Sequence, residues 1–88
     1  MIERDVQVTN PLGLHARPAA QLVRLATTFS ASLELERDGE CVNAKSILGV
    51  MTLAAEFGCT LRVRGDGHDA EQAVTSLAAL ITSGFGET

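Results

Sequence analysis

Apolar and polar positions alternate over residues 2 to 9, "IERDVQVT", placing Ile2, Val6 and Val8 on one face of a half-buried strand that ends at Asn10-Pro11. From 16 to about 29 the period changes: Ala19, Leu22, Val23, Ala26 and Phe29 recur every three or four residues, the stripe of an amphipathic helix. "SLELER" alternates again through Leu33 and Leu35, and Asp38-Gly39 is a two-residue hairpin signal leading into "ECVN". A second helix is expected from about 47 to 57, with Val50, Leu53, Ala54 and Phe57 inward and Gly58 closing it. "TLRVR" forms a fourth strand with Leu61 and Val63 inward and Arg62 and Arg64 outward. Asp66-Gly67 turns the chain, and Asp69, with Gln72 three residues on, is placed to cap a last helix. Ala70, Ala73, Val74, Leu77 and Ile81 make its buried stripe, and Gly84 ends it.

The order β-α-β-β-α-β-α predicts an α+β fold, a two-layer sandwich of four strands whose three helices cover one face of the sheet. The 88 residues suit one domain, 1 to 88, able to form its own core without metal or disulfide. With no Trp or Tyr and three Phe, that core must come from Ala, Val, Leu and Ile. A net charge of −4 argues against a nucleic-acid partner. Cys41 and Cys59 match neither a disulfide framework nor a zinc motif, so both are expected as reduced thiols, consistent with the cytoplasm. No apolar run approaches the roughly 18 residues needed to span a bilayer, and no leader opens the sequence, so membrane insertion is not expected.

Against that background "GLHARPAAQLV", 13 to 23, stands out. Residues 15 to 18 fall in the first turn of a helix, where N–H groups lack acceptors and the dipole favours an anion. Pro18 costs nothing there, and Arg17 brings a fork of donors that matches phosphate oxygens. His15 supplies a ring nitrogen able to attack phosphorus. The plainer reading makes His15 only a turn residue at a helix end. A zinc site from His15, His68, Cys41 and Cys59 lacks any pair with ligand spacing, and His68 beside a turn reads as solvent-exposed. A hydrolytic triad lacks a nucleophile elbow, and a small regulatory metal- or amino-acid-binding domain lacks a ligand motif.

The stretch "GLHARPAAQLV" together with "VNAKSILGVMTLAAEFG", 42 to 58, resembles the HPr family, the histidine-containing phosphocarriers of the bacterial phosphoenolpyruvate-dependent phosphotransferase system. The resemblance extends over essentially the whole chain. It implies an open-faced sandwich with an antiparallel sheet ordered 1-4-2-3, an order that the pattern alone does not supply. It implies that His15 accepts a phosphoryl group from Enzyme I on Nδ1 and passes it to an Enzyme II A component, with Arg17 the active-site arginine and Ala16 and Arg17 offering the helix N-terminus to phosphate. Such a protein is a stoichiometric carrier and not an enzyme, works as a monomer and needs no cofactor, any magnesium belonging to Enzyme I.

Two further features carry a double reading. Ser46 is well placed as a helix N-cap, and the resemblance matches it to the serine that HPr kinase/phosphorylase modifies in several bacterial groups. In the following helix Ile47, Leu48 and Met51 fall outside the core stripe, an apolar cluster that reads as a partner surface or as a helix buried on two sides. Ala16, Ala20, Gln21 and Arg24 lie opposite the core stripe of the first helix and would extend that surface, with Arg17, Arg24 and Lys45 ringing it with positive charge. The stretches "SGFGET" and "AAEFG" fit the nitrogen-related branch as well as the sugar-transport branch, leaving open a regulatory docking module that signals by binding alone.

Overall fold

A computed structural model describes residues 1–87. The elements are β1 (Ile2–Gln7), α1 (Ala16–Ala26), β2 (Ser32–Arg37), β3 (Glu40–Asn43), α2 (Ile47–Thr52), β4 (Thr60–Asp66) and α3 (Ala70–Thr82), followed by a 3-10 turn over Gly84–Gly86. All strand pairs are antiparallel, and the sheet order is β1-β4-β2-β3, the order implied by the family resemblance. The register sets Val6 opposite Leu61 and Leu35 opposite both Val63 and Val42.

Alternation decides which face is covered. Val6, Leu33, Leu35, Leu61 and Val63 are buried, and they meet Leu22, Val23 and Ala26 of α1 and Val74, Leu77 and Ile81 of α3. The helix α3 lies across β1, β4 and β2, α1 packs on α2 and α3, and α2 meets β3. Ile2, expected on the buried face, is 36% exposed at the start of the sheet's edge strand. Gly65 lets α3 come close, because a Cβ there would stand 2.8 Å from a Val74 methyl. The opposite face carries charge: Arg64 bonds Glu3 at 2.7 Å and Glu36 at 2.6 Å and lies 3.4 Å from Glu34, while Arg62 bonds Asp5 at 3.0 Å. The Asp38-Gly39 hairpin forms as expected, with φ of 52° and 87° at the two turn residues.

Three elements depart from the sequence pattern. The helix α1 stops at Ala26, not near residue 29: Thr27 and Thr28 turn their hydroxyls back to the carbonyls of Arg24 and Leu25, and Phe29 packs half-buried beyond the end. The helix α2 stops at Thr52, five residues short of the expected end. Ala54 adopts φ 51°, which breaks the helical run and exposes Ala54 and Phe57 while burying Ala55. Arg37 stabilises this early end by donating to the carbonyls of Leu53 at 3.1 Å and Ala54 at 2.5 Å. Asp69 occupies the N-cap position of α3 but makes no side-chain cap bond. Its carboxylate instead accepts the N–H groups of Ser30 at 2.9 Å and Ala31 at 2.8 Å.

Candidate functional site

The loop between β1 and α1 is built from the backbone outward. Asn10 N–H and carbonyl groups lie at its start, where the Asn10 carbonyl accepts from Gly13 N at 3.1 Å. The Asn10 side chain is buried, 1% exposed, and its Nδ2 donates to the Gly13 carbonyl at 2.7 Å. Gly13 turns the chain at φ 68°, after which Leu14 is buried and its N–H donates to the Ala55 carbonyl at 2.8 Å. These contacts fix the residue that follows.

His15 is the N-cap of α1, extended at φ −79° and ψ −169°, and its carbonyl accepts the first helical bond from Ala19 N at 3.0 Å. The N–H groups of Ala16 and Arg17 therefore lie ahead of the helical ladder and point out of its N-terminus. The ring of His15 makes no cap bond and is 37% exposed, with Nε2 3.1 Å from Glu87 Oε2. Arg17 is exposed and has no ion-pair partner among the described residues, and the first turn of α1 contains no acidic residue. Pro18 is buried, so the turn is anchored on one side and open on the other. A half-exposed imidazole, unspent N–H groups and an unpaired guanidinium at one helix end can receive a doubly charged tetrahedral group.

The expected apolar cluster is present at the surface. Ile47 is 45% exposed, Leu48 77% and Met51 40%, so α2 is not buried on two sides. Ala16 and Arg24 are exposed, and Ala20 and Gln21 are half-buried on α1, which packs directly against α2. Leu12, which the pattern did not single out, and Phe57, which it placed inward, are also exposed. Their loops run together, because Leu14 N bonds Ala55 O and Gly58 N bonds Val8 O at 2.8 Å in each case. Lys45 Nζ donates to the Phe29 carbonyl at 2.8 Å, which ties it to the exit of α1.

Ser46 is the N-cap of α2, and its Oγ accepts Gly49 N at 3.1 Å. An Asx turn precedes it, with Lys45 N donating to Asn43 Oδ1 at 2.8 Å. Cys41 and Cys59 are free thiols, and His68 is exposed. Among the described residues no three His, Cys, Asp or Glu side chains are grouped to hold a metal ion. Among the described residues no helix is long and apolar enough to cross a membrane.

Two residues of this site were missed in the sequence. Asn10 continues the buried phase of Val6 and Val8, and a polar residue in that phase was the available signal. Glu87 follows "GFG", whose flanking glycines mark a chain reversal near the end of the sequence.

A family model described as the PTS HPr component phosphorylation site matches residues 2–83. The chain is 47% identical over 87 residues to the phosphocarrier protein HPr of Cupriavidus necator, covering 99% of this chain and 98% of that protein. It is 42% identical over 81 residues to the HPr-like protein Crh of Bacillus subtilis, covering 92% of this chain and 95% of Crh. The crystal structure of HPr-C-His from Thermoanaerobacter tengcongensis superposes with a TM-score of 0.96 at 43% identity, covering 100% of this chain and 99% of that one.

Proposed function

The chain belongs to the HPr family of phosphotransferase-system phosphocarriers, and from that membership we propose that it accepts a phosphoryl group on His15 from phospho-Enzyme I and gives it to an Enzyme II A component. The observation that carries this reading is the placement of His15: a half-exposed ring at the N-cap of α1, two residues before an arginine with no ion-pair partner among the described residues. In each transfer a ring-nitrogen lone pair of the accepting histidine, Nδ1 where His15 is the acceptor, forms a bond to phosphorus as the bond from phosphorus to the donor nitrogen breaks. The electron pair of that bond returns to the donor ring. Arg17 and the N–H groups of Ala16 and Arg17 neutralise charge on the moving group, and positioning with charge neutralisation accounts for most phosphoryl-transfer catalysis.

Such a carrier must release what it accepts. An open helix end serves reversible transfer better than a closed pocket, because no enclosing contacts have to be broken for the group to leave. The carrier is consumed and regenerated once per transfer and is not an enzyme in its own right. We read it as one cytoplasmic domain acting as a monomer, with Ile47, Leu48 and Met51 of α2 and Ala16, Ala20, Gln21 and Arg24 of α1 meeting each partner in turn. Ser46 would be the point at which HPr kinase/phosphorylase adjusts that meeting.

Incubation with Enzyme I and phosphoenolpyruvate tests the reading. One phosphoryl group per chain, labile in acid, stable in alkali and absent from His15→Ala, is the expected result. A label that survives acid or persists in His15→Ala overturns it. Partner binding and signalling that are intact in His15→Ala would favour the regulatory docking module.

A further inference from the structure

Asn10 is the one buried polar side chain among the described residues, 1% exposed at a position in phase with Val6 and Val8. An apolar residue there would continue the core. The Asn10 amide is instead unevenly satisfied: Nδ2 donates to the Gly13 carbonyl at 2.7 Å and to Glu87 Oε1 at 3.0 Å, whereas Oδ1 is buried with no partner among the described residues. Reversing the amide would set oxygen against the Gly13 carbonyl, so its orientation is dictated by its surroundings. A buried oxygen without a donor lowers stability, and a polar group kept in a core at such a cost points to a constraint other than packing.

The Gly13 carbonyl shows where that constraint leads. It accepts from Asn10 Nδ2 and also from His15 N at 3.0 Å, so both of its lone pairs are occupied and its direction is fixed from two sides. The bond from His15 N spans three residues and makes a γ-turn about Leu14. The buried Leu14 side chain, and the Leu14 N–H donating to the Ala55 carbonyl at 2.8 Å, hold the middle of that turn. Gly13 N donates to the Asn10 carbonyl at 3.1 Å and closes a second turn over the same stretch. His15 leaves these turns extended, at φ −79° and ψ −169°, and the helix begins at Ala16. The direction in which the His15 side chain departs from the backbone is therefore tied to the Gly13 carbonyl, and Asn10 is the side chain that bonds this carbonyl.

We propose that Asn10 is a positioning residue for phosphoryl transfer, acting through the Gly13 carbonyl to fix the γ-turn that sets the His15 ring beside the N-terminus of α1. The proposal rests on His15 being the phosphoryl acceptor. The Asn10 amide bonds Gly13 and Glu87 and not the His15 ring, and its burial keeps it away from an incoming phosphoryl group. Its action is on geometry. The attacking ring nitrogen, phosphorus and the departing nitrogen have to lie roughly in line while the N–H groups of Ala16 and Arg17 face the phosphoryl oxygens. A displacement of about 1 Å in such an arrangement costs on the order of a hundredfold in rate. Without the Asn10 amide the Gly13 carbonyl keeps only the bent three-residue bond from His15 N, and the turn is free to relax while the exposed residues of α1 and α2 stay where they are.

The full chain with Asn10→Leu and with Asn10→Ala provides the test. The first keeps the branched skeleton and removes the donor, the second removes everything beyond Cβ, and thermal melts establish that each folds. With no phosphoryl donor present, the carbon-13 shift of the Gly13 carbonyl and the amide proton shift of His15 report the turn, and both should move in the variants. With phospho-Enzyme I, the single-turnover rate at saturation should fall about tenfold to a hundredfold. The half-saturating concentration should stay within about twofold of the parent, the split expected when reacting geometry is lost and docking is kept. A folded variant with unchanged shifts, or one phosphorylated at the native saturating rate, overturns the proposal, as does a loss confined to the half-saturating concentration. If neither variant folds, Asn10 serves stability alone and the proposal fails. A parent chain that is not phosphorylated on His15 would sink the functional reading itself, an outcome seen before any variant is compared.

Discussion

Leu14 donates its N–H to the carbonyl of Ala55 at 2.8 Å, and this bond fastens the loop that presents His15 to the segment leaving α2. The loop that carries His15 and the segment that follows the exposed cluster on α2 are therefore joined directly through the backbone. Gly13 makes the close approach feasible. A Cβ on it would overlap the Ala55 carbonyl oxygen and stand 2.8 Å from Glu56 Cα, in a backbone already at φ 68°.

Gly13→Ala should consequently lose at least about 2 kcal/mol, combining the left-handed strain of an L-residue with the displacement of the Ala55 segment. For a domain of this size that corresponds to a fall in melting temperature of about 8 °C or more. Gly39→Ala is the control, because Gly39 is also left-handed but has open space around it. It should lose only the strain, about 1 kcal/mol. Equal losses in the two variants would mean that the contact with Ala55 contributes nothing.

The elements that were legible in the sequence are those whose signal is local. The strands alternate, α3 repeats every three or four residues, and the Asp38-Gly39 turn needs only its own two residues. The end of α2 was not legible, because Arg37, far upstream in the chain, supplies the donors that satisfy the carbonyls of Leu53 and Ala54. The capping role given to Asp69 failed for a related reason: the N–H groups of Ser30 and Ala31 compete for its carboxylate across the fold. Within the site, the helix-end chemistry of His15 and Arg17 could be read from adjacent residues. Glu87 could not, because its place depends on a left-handed turn and a buried Phe85 that bring together residues from opposite ends of the chain.

The bonds of Asp69 make a prediction about pH. The Ser30 N–H, with a smaller contribution from Ala31 N–H, holds the Asp69 carboxyl below its ordinary value. A group whose folded value is depressed adds stability above its unfolded value of about 3.9 and loses it as pH falls through the lower folded value. Asp69→Ala should thus be less stable than the parent at neutral pH, and the gap should narrow on acidification. Denaturant unfolding of both proteins at neutral pH and at successively lower pH measures it. A gap that is constant or widens in acid would show that the ionised form of Asp69 is not what stabilises the junction.

Exposure on α2 predicts a separation between binding and stability. Leu48 is 77% exposed and Val50 on the same helix is fully buried. Leu48→Asp should melt within about 0.5 kcal/mol of the parent while weakening association with Enzyme I, whereas Val50→Ala should lose about 2 kcal/mol with its surface chemistry unchanged. Calorimetric titration with Enzyme I, beside thermal melts, distinguishes them. Normal affinity in both Leu48→Asp and Met51→Asp would place docking elsewhere, with the exposed Leu12 and Phe57 the next positions to substitute.

Ser46 joins the two halves of the functional reading, because it is both a structural cap and the residue immediately before Ile47 and Leu48. Its Oγ accepts Gly49 N at 3.1 Å, so Ser46→Ala should cost about 0.5–2 kcal/mol through the lost cap. Ser46→Asp retains an acceptor and adds a negative charge at a helix N-terminus, which favours the helix by roughly 0.3–1 kcal/mol. The Asp variant should therefore be the more stable of the two. Its phosphorylation by Enzyme I should nevertheless be slower, since the new charge sits beside residues that must shed water on docking and repels acidic groups on a partner. Raising the salt concentration screens an exposed charge over a distance of about 8 Å at physiological ionic strength and less beyond it, so the deficit should shrink with salt. Melting temperature and His15 phosphorylation rate, measured for Ser46→Asp and Ser46→Ala at low and high salt, separate the two roles. Equal rates in the two variants would leave Ser46 as a helix cap alone, and a slow Ser46→Asp insensitive to salt would trace the deficit to shape at the docking face and not to charge.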